Sequence, residues 1–137
     1  MSALSCYADS IIASLGAETL TDHSLLNLQS VFPKSLVLAA LDLIDRENVL
    51  RCVGPNGHQC HFQVLGSTTT YNVFLDLPGP TPTYCTCPSF SYFVLSAESY
   101  IMCKHVLATY LARRMGRLLD RPLTAEGLES MLVQEYS

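Results

Sequence analysis

The chain has 137 residues, 49% of them apolar and only 15% charged, with a formal charge of −4. That is the size of one domain with a core of its own. The acidic balance excludes a protein that grips nucleic acid over its whole surface, because phosphate contact rests on Lys and Arg.

The opening MSALSCYADS lacks the basic and apolar regions of a signal peptide, and no stretch is long enough to span a bilayer. There is no Asn-x-Ser/Thr sequon. The expected setting is intracellular and reducing, where six cysteines point to metal binding or plain burial rather than a disulfide framework.

Residues 3–16 carry Leu4, Tyr7, Ala8, Ile11, Ile12 and Leu15 at helical spacing, with Gly16 as a stop. Thr21 or Asp22 caps a short second helix holding Leu25, Leu26, Leu28 and Val31. Pro33 suits the first turn of a third helix, which runs through Leu36, Val37, Ala40, Leu41 and Ile44 to about Asn48. These helices serve either as core beneath a sheet or as a groove-binding surface for a partner.

The pattern then switches to strands. VLRCV, GPNGH and QCHFQVLG read as a hairpin turning at Asn56-Gly57, where both turn positions need positive φ. That turn sets Val53 opposite Cys60 and Cys52 opposite His61. Val49, Val53, Cys60, Phe62 and Val64 then form the apolar face. TTTYNVFLDL supplies a third strand, and Thr83–Cys87 a short fourth. Residues after Pro88 suggest a helical turn or two. A helix follows from about Lys104 to Leu119, and a last amphipathic one from Thr124 to about Glu135. The fold class is α+β. It is one domain, 1–137, with a helical part at 1–48, a small antiparallel β-hairpin sheet at 49–77, a cysteine- and histidine-bearing segment and its helix at 83–119, and a C-terminal helix at 124–135.

Chemistry concentrates in YCTCPSFSYFVLSAESYIMCKHVLATYLA, residues 84–112. Cys85 and Cys87 are two apart, so an extended strand turns both sulfurs to one side. Cys103 and His105 fall where a helix begins, and the entering loop and first turn bring them together. Three thiolates and one imidazole close a tetrahedral shell, the donor set of a structural zinc. Zinc with three thiolates carries −1, which the helix N-terminus and Lys104 favour. A redox pair has the spacing Cys-x-x-Cys, and a catalytic zinc keeps an open position. Spacing alone leaves a Cys–His nucleophile pair open, but that reading gives Cys85 and Cys87 no role.

Cys52, His58, Cys60 and His61 invite a second metal site. The hairpin register places only Cys52 and His61 on one face, too few for a closed shell, so no second site at Cys52/Cys60 is expected. Cys6 and His23 stand apart. Lys104, Arg113, Arg114, Arg117 and Arg121 form the one basic region. They either complement a helix C-terminus in solvent or touch DNA phosphate or an acidic partner. Arg114 sits on the same stripe as Leu107, Leu111 and Leu118, which is odd for a core face.

Cys85-Thr86-Cys87-Pro88, a spacer, then Cys103-Lys104-His105-Val106-Leu107 resembles the SWIM-type zinc finger position by position. SLVLAALDLIDRENV, the hairpin, FQVLGSTTTY and the C-terminal helices extend that likeness to the small SWIM subunits of Shu-type complexes. The resemblance implies one structural zinc held by Cys85, Cys87, Cys103 and His105. It implies a nuclear, non-catalytic protein of homologous recombination and DNA repair, with a role in meiosis. Its partner would be a RecA-family recombinase paralogue, the SWIM-associated protein, as a heteromer. Recombinase filaments would be reached indirectly, DNA through the complex, and no membrane is involved. The alternative is a finger that itself binds single- or double-stranded DNA; a zinc hydrolase is a third reading.

Overall fold

In a computed structural model, the described residues are 10–13, 22–54, 59–77, 83–88, 90 and 102–122. Residues 10–13 form a helical turn with Ile11 and Ile12 buried. Helix α1 spans Asp22–Gln29 and α2 spans Lys34–Asp45. Strands β1 (Val49–Val53), β2 (Gln59–Leu65), β3 (Thr70–Phe74) and β4 (Tyr84–Cys85) follow. Helix α3 spans Lys104–Met115, and β5 spans Leu119–Pro122. The expected helix over 124–135, the rest of the one over 3–16, the Asn56-Gly57 turn and the turns after Pro88 lie outside the described residues.

The α+β class stands, but the sheet is larger than the hairpin sheet expected from sequence. Among the described residues it has five strands in the order β4-β3-β2-β1-β5. Neighbours β1 to β4 pair antiparallel, whereas β5 runs parallel to β1, Leu50 beside Leu119 through Val53 beside Pro122. A parallel neighbour needs a crossover, and α3 is part of the one used here. It leaves the zinc-finger edge at β4, packs on α2 and the sheet, and delivers the chain to the opposite edge.

Two expectations are corrected along this path. Helix α3 stops at Met115, not Leu119. Gly116 takes a left-handed conformation (φ 69), and Arg117 N–H donates to Ala112 O at 2.8 Å. That capping arrangement satisfies the last carbonyls and turns the chain out. Leu107 and Leu111 are buried as expected, Met115 continues their stripe, and Arg114 is exposed. In the hairpin, Cys52 does pair with His61, but Val53 lies opposite Gln59, with a bulge between Cys52 and Val53. An extra residue enters β2 there, which a tight turn alone does not reveal. Pro33 proves to be the N-cap of α2, one place earlier than expected.

One sheet face carries Val49, Phe62, Val64 and Val73 into the core, against Val37, Ala40 and Ile44 of α2 and Val106, Leu107 and Leu111 of α3. Side chains alternate along a strand, so Cys85 of β4 faces the same way as Val73 and meets α3. The other face carries a polar chain. Arg121 donates to Gln63 (2.7 Å), Gln63 donates to Asn72 (3.1 Å), and His61 Nε2 bonds Asn72 (3.1 Å). His61 stacks on Phe74, ring centroids 5.4 Å apart. Cys52 and His61 are buried on this face rather than wet.

Candidate metal centre

Cys85, Cys87, Cys103 and His105 converge from three elements: β4, the turn after it, and the start of α3. All four are buried, and their ligand atoms lie within 4.8 Å of one another. Zn–S bonds of about 2.3 Å and Zn–N of about 2.0–2.1 Å give tetrahedral edges of about 3.8 Å between sulfurs and about 3.6 Å from sulfur to nitrogen. Cys85 Sγ stands 3.8 Å from His105 Nδ1, so the spacing and the chemistry of the donors both fit one zinc ion. It also identifies Nδ1 as the nitrogen that faces the sulfurs.

Local sequence explains the convergence. Cys85 belongs to β4, paired with Val73 of β3. Thr86 bonds Asn72 twice, through its own N–H (3.1 Å) and through Oγ1 (3.0 Å), and so extends the strand one residue further. Cys87 then starts a turn in which Phe90 N–H donates to its sulfur (3.3 Å). Cys103 is the N-cap of α3 and accepts from Val106 N–H at 3.5 Å. A sulfur in the capping position meets an otherwise unpaired helix donor. Each of these N–H groups favours a thiolate.

The three thiols shift one another strongly. Cys87 is held far below the ordinary thiol range because Cys103 and Cys85 donate to it. Cys85 is pushed far up, first by its hydrogen bonds to Cys103 and Cys87 and then by burial. Cys103 is drawn down by Cys85, but its bond to Cys87 and burial outweigh that and push it up to about 12. So one sulfur takes the charge and the others resist it. A cation among them is what lets all three ionise.

Packing fixes the imidazole. Tyr71 of β3 lies against the His105 ring, centroids 4.5 Å apart. Gly66 makes room for Tyr71: a Cβ there would stand 2.9 Å from the tyrosine ring and 2.7 Å from Thr69 O. Tyr84 is exposed and touches Phe90 edge-on (5.6 Å). Tyr71 and Gly66 were not singled out from sequence; no local spacing links them to His105.

The basic residues do not form one patch. Lys104 is exposed at the start of α3. Arg113 pairs with Asp76 (2.9 Å) and lies over the Tyr110 ring. Arg114 and Arg117 are exposed near the helix C-terminus, while Arg121 belongs to β5 and reaches Gln63. Of the suspected second site, His58 and the Cys60 side chain lie outside the described residues; of the two isolated residues, His23 is exposed and Cys6 also lies outside them. Among the described residues only the Cys85–Cys87–Cys103–His105 group gathers enough metal-binding side chains.

Comparison with known proteins agrees with this geometry. The SWIM zinc finger family profile matches residues 71–114. The chain is 36% identical over 115 residues to zinc finger SWIM domain-containing protein 7 of Mus musculus, covering 83% of this chain and 71% of that protein. It is 40% identical over 115 residues to the Danio rerio protein of the same name, covering 83% and 77%. It is 31% identical over 94 residues to a Dictyostelium discoideum homolog, covering 69% and 57%. No solved structure matches.

Proposed function

Because this chain belongs to the zinc finger SWIM domain-containing protein 7 family, we propose that it is a non-catalytic subunit of a Shu-type complex. In this reading it binds a RecA-family recombinase paralogue, the SWIM-associated protein. The pair works in the nucleus, promoting recombinase filaments during homologous recombination and meiosis. DNA is reached through the complex.

The observation that carries the non-catalytic part is the closed donor set. Four buried side chains fill a tetrahedral shell, so a structural zinc has no vertex left for substrate or water. When bound, the ion supplies a cross-link coupled to folding, roughly 10–16 kcal/mol in small zinc-finger peptides. The chain's own residues do the rest. Cys85 and Cys87 fix the β4 edge, Cys103 and His105 fix α3, and α3 is packed against α2. A partner-binding role is also favoured by apolar side chains left outside the core, Leu26 of α1 (66% exposed) and Leu38 of α2 (51%).

The test is co-purification of the zinc-loaded chain with the recombinase paralogue, beside Cys85→Ser at matched expression, with zinc counted per chain. Capture with one zinc, and loss of both in the variant, supports the reading. Zinc without capture sinks it. Direct DNA binding is the second reading, favoured by exposed Arg114 and Arg117 at the end of α3. It requires this chain alone to bind DNA with a steep salt dependence.

A further inference from the structure

Beside the metal centre lies an open cleft of about 330 Å³. Its walls include Asp42, Arg46, Asn48, Ser67, Lys104 and the metal-facing His105. The His105 ring turns Nδ1 toward Cys85 Sγ, which sends Nε2 away from the sulfurs. Among the described residues Nε2 meets no hydrogen-bond partner, although His105 is only 5% exposed. It is not sealed off either. Among the described residues, the buried side-chain nitrogen or oxygen without a partner is His61 Nδ1, on the far face of the sheet.

A metal-bound histidine almost always donates its second N–H, most often to a carboxylate, carbonyl or water, and that contact fixes the ring. Among the described residues no such acceptor is in place, and the cleft is where it would sit. The adjacent charge sets its sign. Lys104 has no ion pair among the described residues, whereas Arg46 is balanced by Asp42 at 3.0 Å. The cleft therefore offers an N–H donor and one uncompensated ammonium.

We propose that this cleft receives a carboxylate side chain from the partner protein, which accepts from His105 Nε2–H and pairs with Lys104. The inference rests on the adaptor reading above and deepens it. A single carboxylate is favoured over a DNA backbone because the cleft offers one uncompensated cation, Lys104, whereas a run of phosphates needs several. The cleft's volume also suits one or two side chains rather than a strand.

Two substitutions test it on the zinc-loaded full chain. Lys104→Glu reverses the charge at an exposed position of the first helical turn, where an acidic residue suits the helix dipole. Ser67→Glu places a tethered carboxylate in the cleft. Both are expected to keep their zinc and to lose partner affinity by roughly tenfold or more. Wild-type capture with both variants capturing equally well overturns the cleft and leaves the adaptor reading intact. If wild type captures no partner, the adaptor reading fails, and sodium acetate then decides the cleft. A saturable downfield shift of the His105 Nε2–H resonance, absent in Lys104→Glu, supports a carboxylate site. No shift overturns it, as does a shift given by a short oligonucleotide and not by acetate.

Discussion

Gly66→Ala probes the path from a turn to the metal. The new methyl would stand 2.7 Å from Thr69 O and 2.9 Å from Tyr71 Cε2, both far inside contact distance. The carbonyl has little freedom to retreat, because it accepts from Gly66 N–H itself at 2.8 Å. The ring has little freedom either, because it lies on His105. Overpacking of this kind costs about 1–3 kcal/mol, and loss of the turn hydrogen bond about 0.5–1.5 kcal/mol. We expect Gly66→Ala to lose about 2–3 kcal/mol, roughly 30- to 150-fold in the folding equilibrium. The assay is urea unfolding at fixed excess zinc, with zinc affinity from chelator competition. Tyr71→Ala removes the ring from the clash, so the double variant should be less destabilised than the sum by about 1 kcal/mol. An additive cycle, or Gly66→Ala with unchanged zinc affinity, would refute transmission through Tyr71.

Three further outcomes are expected. Chelation of the zinc-loaded protein should release β4 from α3, abolish a single cooperative unfolding transition and be reversed by added zinc; unchanged melting under chelator would contradict the structural role. Burial holds the His61 pKa below 6.5, outweighing its bond to Asn72, and Arg121 lowers it further. The unfolded chain then binds more protons, so this contribution is full above pH 6.5 and falls as pH drops through the folded value. Cys52, Gln63, Asn72, Phe74 and Arg121 share the sheet face of His61 and supply no carboxylate. His61→Gln should flatten that slope below about pH 6.5 in urea unfolding curves; an unchanged slope assigns it to other groups. Glu47 is held at φ 58 at the end of α2. Glu47→Gly should raise stability by up to about 1 kcal/mol, and a lowered urea midpoint would show that the side chain matters more than the backbone.

The metal-centre residues were legible because their signals are local. Cys-x-Cys on a strand and Cys-x-His at a helix start each fix two directions over three residues, and only one fold-level step is needed to join them. Helix α2 and strands β1 to β3 were likewise written in short-range periodicity. Strand β5 was not. LDRP carries no alternation, and its place is decided by the free edge of β1, far away in sequence. The end of α3 was visible in Gly116, but Leu118 and Leu119 kept the helical spacing alive beyond it. The bulge beside Val53 and the contact of Tyr71 with His105 arise from packing, so no window of sequence holds them.

The parallel placement of β5 gives synthesis of this protein a direction. VLRCV emerges early, and one of its edges stays unpaired until residues 119–122 have left the ribosome. At about 5–20 residues per second that is a matter of seconds. Throughout it a short apolar edge is open to strands of other chains. The segment that closes it arrives at the end of α3, whose start is anchored by Cys103 and His105. A zinc ion that pins the start of α3 would therefore hold β5 near that edge and shorten its search for β1.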